Sequence, residues 1–177
     1  NKVDSITGEA KLLGPSTIGI VGTDRTVTAD NIIIATGARP RSIPALPIDG
    51  KVVMTSREAL ENHELPASVV IVGGGAIGCE FAYLYNAYGA KVTIVELLPH
   101  LLPAEDVEIS QQLEKSFRAQ GISVMTDAIV KGLTADTEQA NLVIEDKDGM
   151  QDLSAERVLV GIGVQANTEN LGLEEVG

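Results

Sequence analysis

Gly73, Gly75, Gly78 and Glu96 are the residues whose types and spacing best suit chemistry. They stand in "VVIVGGGAIGCEFAYLYNAYGAKVTIVE", residues 69–96. A GxGxxG spacing does three separate things for a backbone. Gly73 permits a tight turn directly after an apolar run. Gly75 lets main chain approach a pyrophosphate with no Cβ in the way, and Gly78 lets a helix pack closely on the strand before it. A helix opening near Gly75 offers free N–H groups and the positive end of its dipole to phosphates. Glu96 closes the next apolar run, where a carboxylate can accept hydrogen bonds from an adenosine ribose diol and repels a 2′-phosphate. The stretch "LLPHLL" at 97–102 holds no Arg or Lys, so the pattern favours NAD over NADP. Two plainer roles stay open at this point: glycine clusters also form ordinary tight turns, and a strand-end acid also serves solvation.

The other candidates are weaker. Glu80 lies in the early helix, where a helix dipole alone favours a carboxylate. Cys79 is the only cysteine, which excludes an intrachain disulfide or a CxxC pair, and it suits packing as a small apolar group. Phe81, Tyr83, Tyr85 and Tyr88 suit helix packing rather than ring stacking. His63 and His100 have no partner at metal-ligand spacing, and no metal site is expected. The acids of "PAEDVE" (103–108) suit a helix N-terminus.

Around these residues the sequence calls for a parallel sheet. Strand-like runs occur at Val3–Ile6, Ile18–Val21, Ile32–Ala35, Val69–Val72, Val92–Val95, Ile122–Met125, Leu142–Ile144 and Val158–Val160. One helix is expected over about 76–88, with Ile77, Phe81, Tyr85 and Tyr88 on one face and Gly89 as its stop. A second is expected over about 107–119, with Asp106 as N-cap, Ile109, Leu113 and Phe117 on one face, and Gly121 past its end. Residues 41–65, rich in proline, read as a connection with a short helix near Ser56–Glu61. Alternation of strand and helix over 69–125 implies an α/β fold: a Rossmann-like parallel sheet with helices on both faces, plus a β-meander.

Composition agrees. Of 177 residues 44% are apolar, enough for a sizeable core. The net charge of −12 argues against nucleic acid or anionic membrane as a partner. No apolar run approaches the roughly 18 residues of a membrane span, and nothing at the N-terminus resembles a signal peptide, so a cytoplasmic location is expected. A chain opening at Asn1 also suggests an excerpt.

A weak internal repeat adds to this. "TADNIIIATGARP" (28–40) aligns with "SAERVLVGIGVQA" (154–166), placing Gly37 on Gly163. Upstream, "VDSIT" (3–7) resembles "ISVMT" (122–126). The repeat implies that residues 1–40 are the back half of a second dinucleotide-binding module.

Together "IIIATGARP", the stretch 69–96, "LLPAEDVEIS" and "VGIGVQANTENLGLEEVG" resemble the pyridine nucleotide–disulfide oxidoreductases, most of all their lipoamide branch. The resemblance covers essentially the whole chain. It implies four segments: 1–40 as the C-terminal part of an FAD-binding domain, 41–65 as a connection, 66–164 as the NAD-binding domain, and 165–177 as a return toward the FAD domain. It implies that Gly73, Gly75, Ala76, Ile77, Gly78 and Glu80 contact NAD, Glu80 near nicotinamide and flavin. Glu96 would bind the adenosine ribose, Val130 lie beside the adenine, and Gly163 lie near the nicotinamide half. Thr36, Gly37 and Ala38 would approach FAD. Ala10 stands where many members have a flavin-contacting glycine, "GIGVQAN" replaces the commoner "GRRPN", and Ala76 leaves no ring to lid the flavin.

The resemblance further implies a parent flavoenzyme passing electrons from dihydrolipoamide through a cysteine pair and FAD to NAD, as a homodimer bound to a 2-oxoacid dehydrogenase complex. No redox-active cysteine motif, flavin glycine loop or His–Glu base pair in its proper context occurs in these residues, so no catalytic residue is expected here. NADH oxidase, mercuric reductase, transhydrogenase or a stand-alone NAD(H)-sensing module are the alternatives.

Overall fold

A computed structural model describes residues 2–176. The chain divides into two compact units, one from the residues up to Arg39 with those from Gln165 onward, the other from Pro40–Val164. In the first unit β1 (Ala10–Gly14), β2 (Thr17–Ile20) and β3 (Thr26–Thr28) form an antiparallel meander. Leu12 is its buried side chain, and the Leu12 N–H donates to the Leu171 carbonyl at 2.8 Å. A turn of 3-10 helix follows at Leu173–Glu175, behind Gly172. Gly172 has φ +76, and any side chain there would meet the Leu12 carbonyl.

The expected strands at Val3–Ile6 and Ile32–Ala35 do not form. Ile33 is 91% exposed and Val3 80%. An extended apolar run becomes a strand only where a neighbour takes up its N–H and C=O groups, and none of the described residues does so here. After Gly37, β4 (Ala38–Pro40) leads out of this unit.

In the second unit β5 (Val53–Met54) and α1 (Ser56–Glu61) come first, then β6 (Ser68–Val72), α2 (Ala76–Ala87), β7 (Lys91–Val95), α3 (Val107–Ala119) and β8 (Ser123–Met125). A meander of β9 (Ile129–Ala135), β10 (Ala140–Asp146) and β11 (Gly149–Ala155) leads to β12 (Arg157–Val160). The chain then re-enters the first unit through β13 (Val164–Ala166), which pairs with β4 at the unit's edge. The sheet order is β5-β12-β6-β7-β8, with all four pairings parallel. Thus 41–65 is more than a connection: it supplies the edge strand β5, because its apolar Val52, Val53 and Met54 are buried.

Side chains alternate between two cores, as the pleat requires. Val69, Ile71, Val92, Ile94 and Leu159 join Phe81, Ala82, Tyr85 and Phe117 of the helices on one face. Val70, Val72, Val95, Val158 and Val160 join Leu142, Ile144 and Ala155 of the meander on the other. The α/β class with a parallel sheet stands; the second face is covered by the meander, not by helices. Such a three-stranded sheet, apolar on one side, buries a sheet face as well as a helix does.

The helices end as their signals direct. Asp106 caps α3, its side chain accepting from the Glu108 N–H at 2.8 Å, and Gly89 and Gly121 take φ +98 and +89 beyond α2 and α3. Two face assignments change. Tyr88 is the C-cap of α2 and is exposed, and Ile109 is exposed while Ser110 and Phe117 are buried. Eight residues of helix overshoot whole turns by about 80°, so Ile109 rotates away from the face of Phe117. No helix among the described residues is long and apolar enough to cross a membrane.

Candidate functional site

The glycine turn sits at the C-terminal end of β6, in the centre of the parallel sheet. Gly73 has φ +111, and a side chain there would meet the Gly161 backbone beside it. A side chain at Gly78 would strike the Gly73 carbonyl and approach Ile71 Cγ2 to 3.2 Å. These two glycines are therefore demanded by the fold itself. Gly75 is different: its φ is −72 and ψ −175, open to any residue, and a Cβ on it would meet nothing within 4 Å. The fold does not require glycine there, and the space beside it is free.

Gly75 is also the N-cap of α2. The Cys79 N–H donates to its carbonyl at 2.9 Å, so the N–H groups of Ala76, Ile77 and Gly78 find no acceptor within the helix. No side chain caps this end. In the same unit α1 is capped by Thr55 in a full capping box and α3 by Asp106. The uncapped helix is the one that faces the free space of the glycine turn. Gly73, Gly75, Ala76, Ile77 and Gly78 are thus together in one turn, and Glu80 is exposed on the helix just beyond.

Glu96 follows β7, the neighbour of β6, and is 7% exposed. Its Oε2 accepts from the Gly74 N–H, and its Oε1 from the Leu98 N–H at 2.8 Å. A carboxylate offers about four lone-pair sites, so acceptor capacity remains for further donors. Segment 125–128 is stitched to the same turn: Glu96 N–H donates to Met125 O, Ala128 N–H to Glu96 O and Asp127 N–H to Leu98 O, at 2.8, 3.0 and 3.1 Å. This places half-buried Val130, at the start of β9, two residues beyond a segment bonded to Glu96. Gly163, with φ +98, lies past the end of β12.

Residues that the motif does not single out complete the site. The Leu102 N–H donates to the Gly74 carbonyl at 2.8 Å, and the Leu101 side chain, fully buried, lies where a Cβ on Gly74 would be, 2.5 Å from its Cδ2. Leu101 N–H in turn donates to Glu114 Oε1 at 3.1 Å, and Glu114 pairs with Arg118 at 3.0 Å. Gly161, whose N–H donates to the Val72 carbonyl at 2.7 Å, borders the Gly78 amide. Its signal was present: "VLVG" (158–161) repeats the apolar-run-then-glycine form of "VVIVG" (69–73). Glu114 carried no such signal, since its partner is a backbone N–H thirteen residues away.

Thr36, Gly37 and Ala38 belong to the other unit and form a separate cluster. Thr36 Oγ1 donates to the Asn167 carbonyl at 2.6 Å, Asn167 Nδ2 to Thr36 O at 3.1 Å, and the Asn167 N–H to Gly37 O at 3.0 Å. Arg39 holds Asn167 Oδ1 at 2.8 Å and grips Glu169 with two N–H groups, at 2.6 and 3.1 Å. That hydrogen-bonded pair holds the Glu169 carboxyl down at about 2.

Cys79 is buried beneath the turn, its Sγ donating to Gly74 O at 3.3 Å. Burial first, and then the nearby charges of Glu96, Glu114 and Glu80, push its thiol up to about 12. It is a neutral packing group, not a nucleophile. No cluster of His, Cys, Asp or Glu among the described residues could hold a metal ion.

Comparison with known proteins places the chain in a family. The model of the family "pyridine nucleotide-disulphide oxidoreductase" matches residues 1–177. The chain is 46% identical over 182 residues to a dihydrolipoyl dehydrogenase of Chlorobaculum parvum, covering 99% of this chain and 38% of that protein. It is 43% identical over 186 residues to that of Bacillus subtilis, covering 98% and 39%. Among solved structures, the HOCl-induced flavoprotein disulfide reductase RclA from Escherichia coli matches with TM-score 0.79 and 29% identity, over 98% of this chain and 39% of that one. LpdA from Mycobacterium tuberculosis matches with TM-score 0.80 and 32% identity, over 96% and 38%. The chain therefore spans about two fifths of the length of the relatives it matches. It belongs to the pyridine nucleotide–disulphide oxidoreductase family.

Proposed function

We propose that this chain is the NAD(H)-binding segment of a flavin-dependent dihydrolipoyl dehydrogenase, an enzyme that passes electrons from dihydrolipoamide through a disulfide and FAD to NAD. The observation that carries the proposal is the uncapped N-terminus of α2 facing free space at Gly75. Three N–H groups without helical partners, at the positive end of a 12-residue helix, suit a pyrophosphate. The residues present fit the cofactor at its other end too. Glu96 has acceptor capacity left for a ribose diol, and the absence of Arg or Lys in 97–102 disfavours a 2′-phosphate.

In this reading Gly73, Gly75, Ala76, Ile77 and Gly78 hold the pyrophosphate and Glu96 the adenosine ribose. Val130 lines the adenine side, and Gly163 and Glu80 the nicotinamide side. Bound NAD supplies the hydride-accepting ring; the chain's own residues bind and orient it. Thr36, Gly37 and Ala38, with residues 1–40 and 165–177, form part of an FAD-binding domain, and 66–164 is the NAD-binding domain. The parent enzyme is a cytoplasmic homodimer serving a 2-oxoacid dehydrogenase complex. The chain alone binds NAD(H) but does not oxidise dihydrolipoamide.

The test is calorimetric titration of the chain with NADH, NADPH and FAD side by side, followed by an assay of NAD reduction by dihydrolipoamide. NADH binding well ahead of NADPH, weak FAD binding and no turnover are expected. A preference for NADPH, tight FAD binding or turnover without added flavoprotein would each count against the assignment.

A further inference from the structure

We infer that Glu114, on α3 and outside every glycine motif, is a positioning residue that sets the chain's affinity for NADH and its preference for NADH over NADPH. The inference rests on the NAD(H) reading above and extends it to a residue that touches no part of the cofactor.

The route runs through short, named contacts. Glu114 Oε1 accepts the Leu101 N–H at 3.1 Å, and the next residue, Leu102, donates its N–H to the Gly74 carbonyl at 2.8 Å. The opposite side of Gly74 is its N–H, which donates to Glu96 Oε2. One peptide link thus separates the group Glu114 holds from the group that orients the glycine turn, and the glycine turn holds the ribose acid. The clasp cannot slide, because Leu101 is fully buried against Gly74 at 2.5 Å from the position of a Cβ. It is also under tension. Leu102 has φ +48, a conformation that L-residues with side chains avoid, so the hydrogen bonds on either side must hold it there. Ser110, fully buried, adds a weaker bond to the Leu102 carbonyl at 3.5 Å. Glu114 is itself fixed by Arg118 at 3.0 Å, its side chain 12% exposed.

Without the Glu114 acceptor, Leu101–Leu102 can relax toward an ordinary backbone conformation, and Gly74 loses the bond that aims its N–H at Glu96. The effect falls on the adenosine-ribose end of the site, so it should weaken NADH and leave NADPH, which gains nothing from Glu96, nearly unchanged.

The experiment compares Glu114→Ala, Glu114→Gln and Glu114→Asp by calorimetric titration with NADH and NADPH, with a thermal melt of each. Glutamine keeps an oxygen at the same reach and should bind NADH as the wild type does. Aspartate keeps the charge but falls one methylene short of Leu101, and should resemble alanine. Loss of positioning worth at most one ordinary hydrogen bond predicts NADH binding weaker by up to about tenfold in the alanine and aspartate variants, with the NADH-to-NADPH preference falling by the same factor. Equal losses for both nucleotides would reduce Glu114 to general support of the fold and overturn the inference, as would wild-type NADH affinity in Glu114→Asp. If the alanine variant does not fold, the glutamine and aspartate pair decides alone. Failure of the wild type to bind NADH would instead refute the NAD(H) reading itself.

Discussion

Gly75→Ala separates what the fold needs from what a ligand needs. The backbone at Gly75, φ −72 and ψ −175, is one that alanine adopts freely, and its Cβ would meet nothing within 4 Å. Replacing glycine at such a position restricts the unfolded chain and stabilises by about 0.4–1 kcal/mol. For a domain of this size that is an upward shift in melting temperature of about 1–4 °C. In the NAD(H) reading the same methyl group would stand in the space through which the pyrophosphate reaches the N–H groups of Ala76 and Ile77. Losing two hydrogen bonds to a charged group, at about 1.5–3 kcal/mol each, weakens NADH binding by about 10²–10⁴-fold. Gly78→Ala is the contrast: its Cβ strikes the Gly73 carbonyl and crowds Ile71 Cγ2 at 3.2 Å. Forcing α2 away from β6 costs about 1–3 kcal/mol as overpacking, so this variant should melt earlier. Thermal melts and NADH titration of the two variants form one experiment. A Gly75→Ala protein that melts no earlier than the wild type and still binds NADH with full affinity would refute the pyrophosphate assignment. A fall in its melting temperature would show that the space is not free.

Four further outcomes follow from the same contacts. Glu96→Ala strands the buried Gly74 N–H, at about 1–3 kcal/mol, and frees the more exposed Leu98 N–H to bond water; it should lower the melting temperature while abolishing the preference for NADH over NADPH in titration. The Tyr85 hydroxyl is buried with no hydrogen-bond partner among the described residues, so Tyr85→Phe should leave the melting temperature unchanged or raised; a clear fall would reveal a partner. The Cys79 thiol, raised by burial from 9.0 to about 12, contributes stability that is full below pH 9 and lost as pH rises toward 12. Cys79→Ala should therefore flatten the alkaline limb of a stability-against-pH curve. Glu169 is depressed by its hydrogen bonds from Arg39 to about 2 from 4.5, so that pair contributes above pH 4.5 and is lost as pH falls toward 2. The protection factor of the Asn167 amide, its exchange rate measured against the intrinsic rate at each pH, should fall across that interval, and Arg39→Ala should remove the dependence.

The aligned segments of the internal repeat show which part of a fold can be read from sequence. "NIII" (31–34) and "RVLV" (157–160) share their apolar character and the glycine that follows, and Gly37 and Gly163 both take positive φ, +73 and +98. Both copies are preceded by a three-stranded antiparallel meander, β1–β3 in one and β9–β11 in the other. Turn residues and glycine conformations are local properties, and they came through in both. The strand itself did not: Arg157–Val160 lies between β5 and β6 with Val158, Leu159 and Val160 buried, whereas Ile32–Ala35 pairs with none of the described residues and is exposed from Ile33 onward. Strand formation depends on neighbours that the segment's own residues cannot specify. The site divides along the same line. Gly73, Gly75, Gly78 and Glu96 were legible because each acts through its own backbone or its position at a strand end. Gly161 was half legible, as a local echo of the first glycine turn. Glu114 was not, because its role exists only when α3 is laid beside the 101–102 turn, and helix periodicity offers it merely as a polar residue next to Leu113. In the NAD(H) reading the site is announced by its glycines but aimed by a residue of the next helix, so variants that tune affinity without touching the nucleotide should be sought on α3.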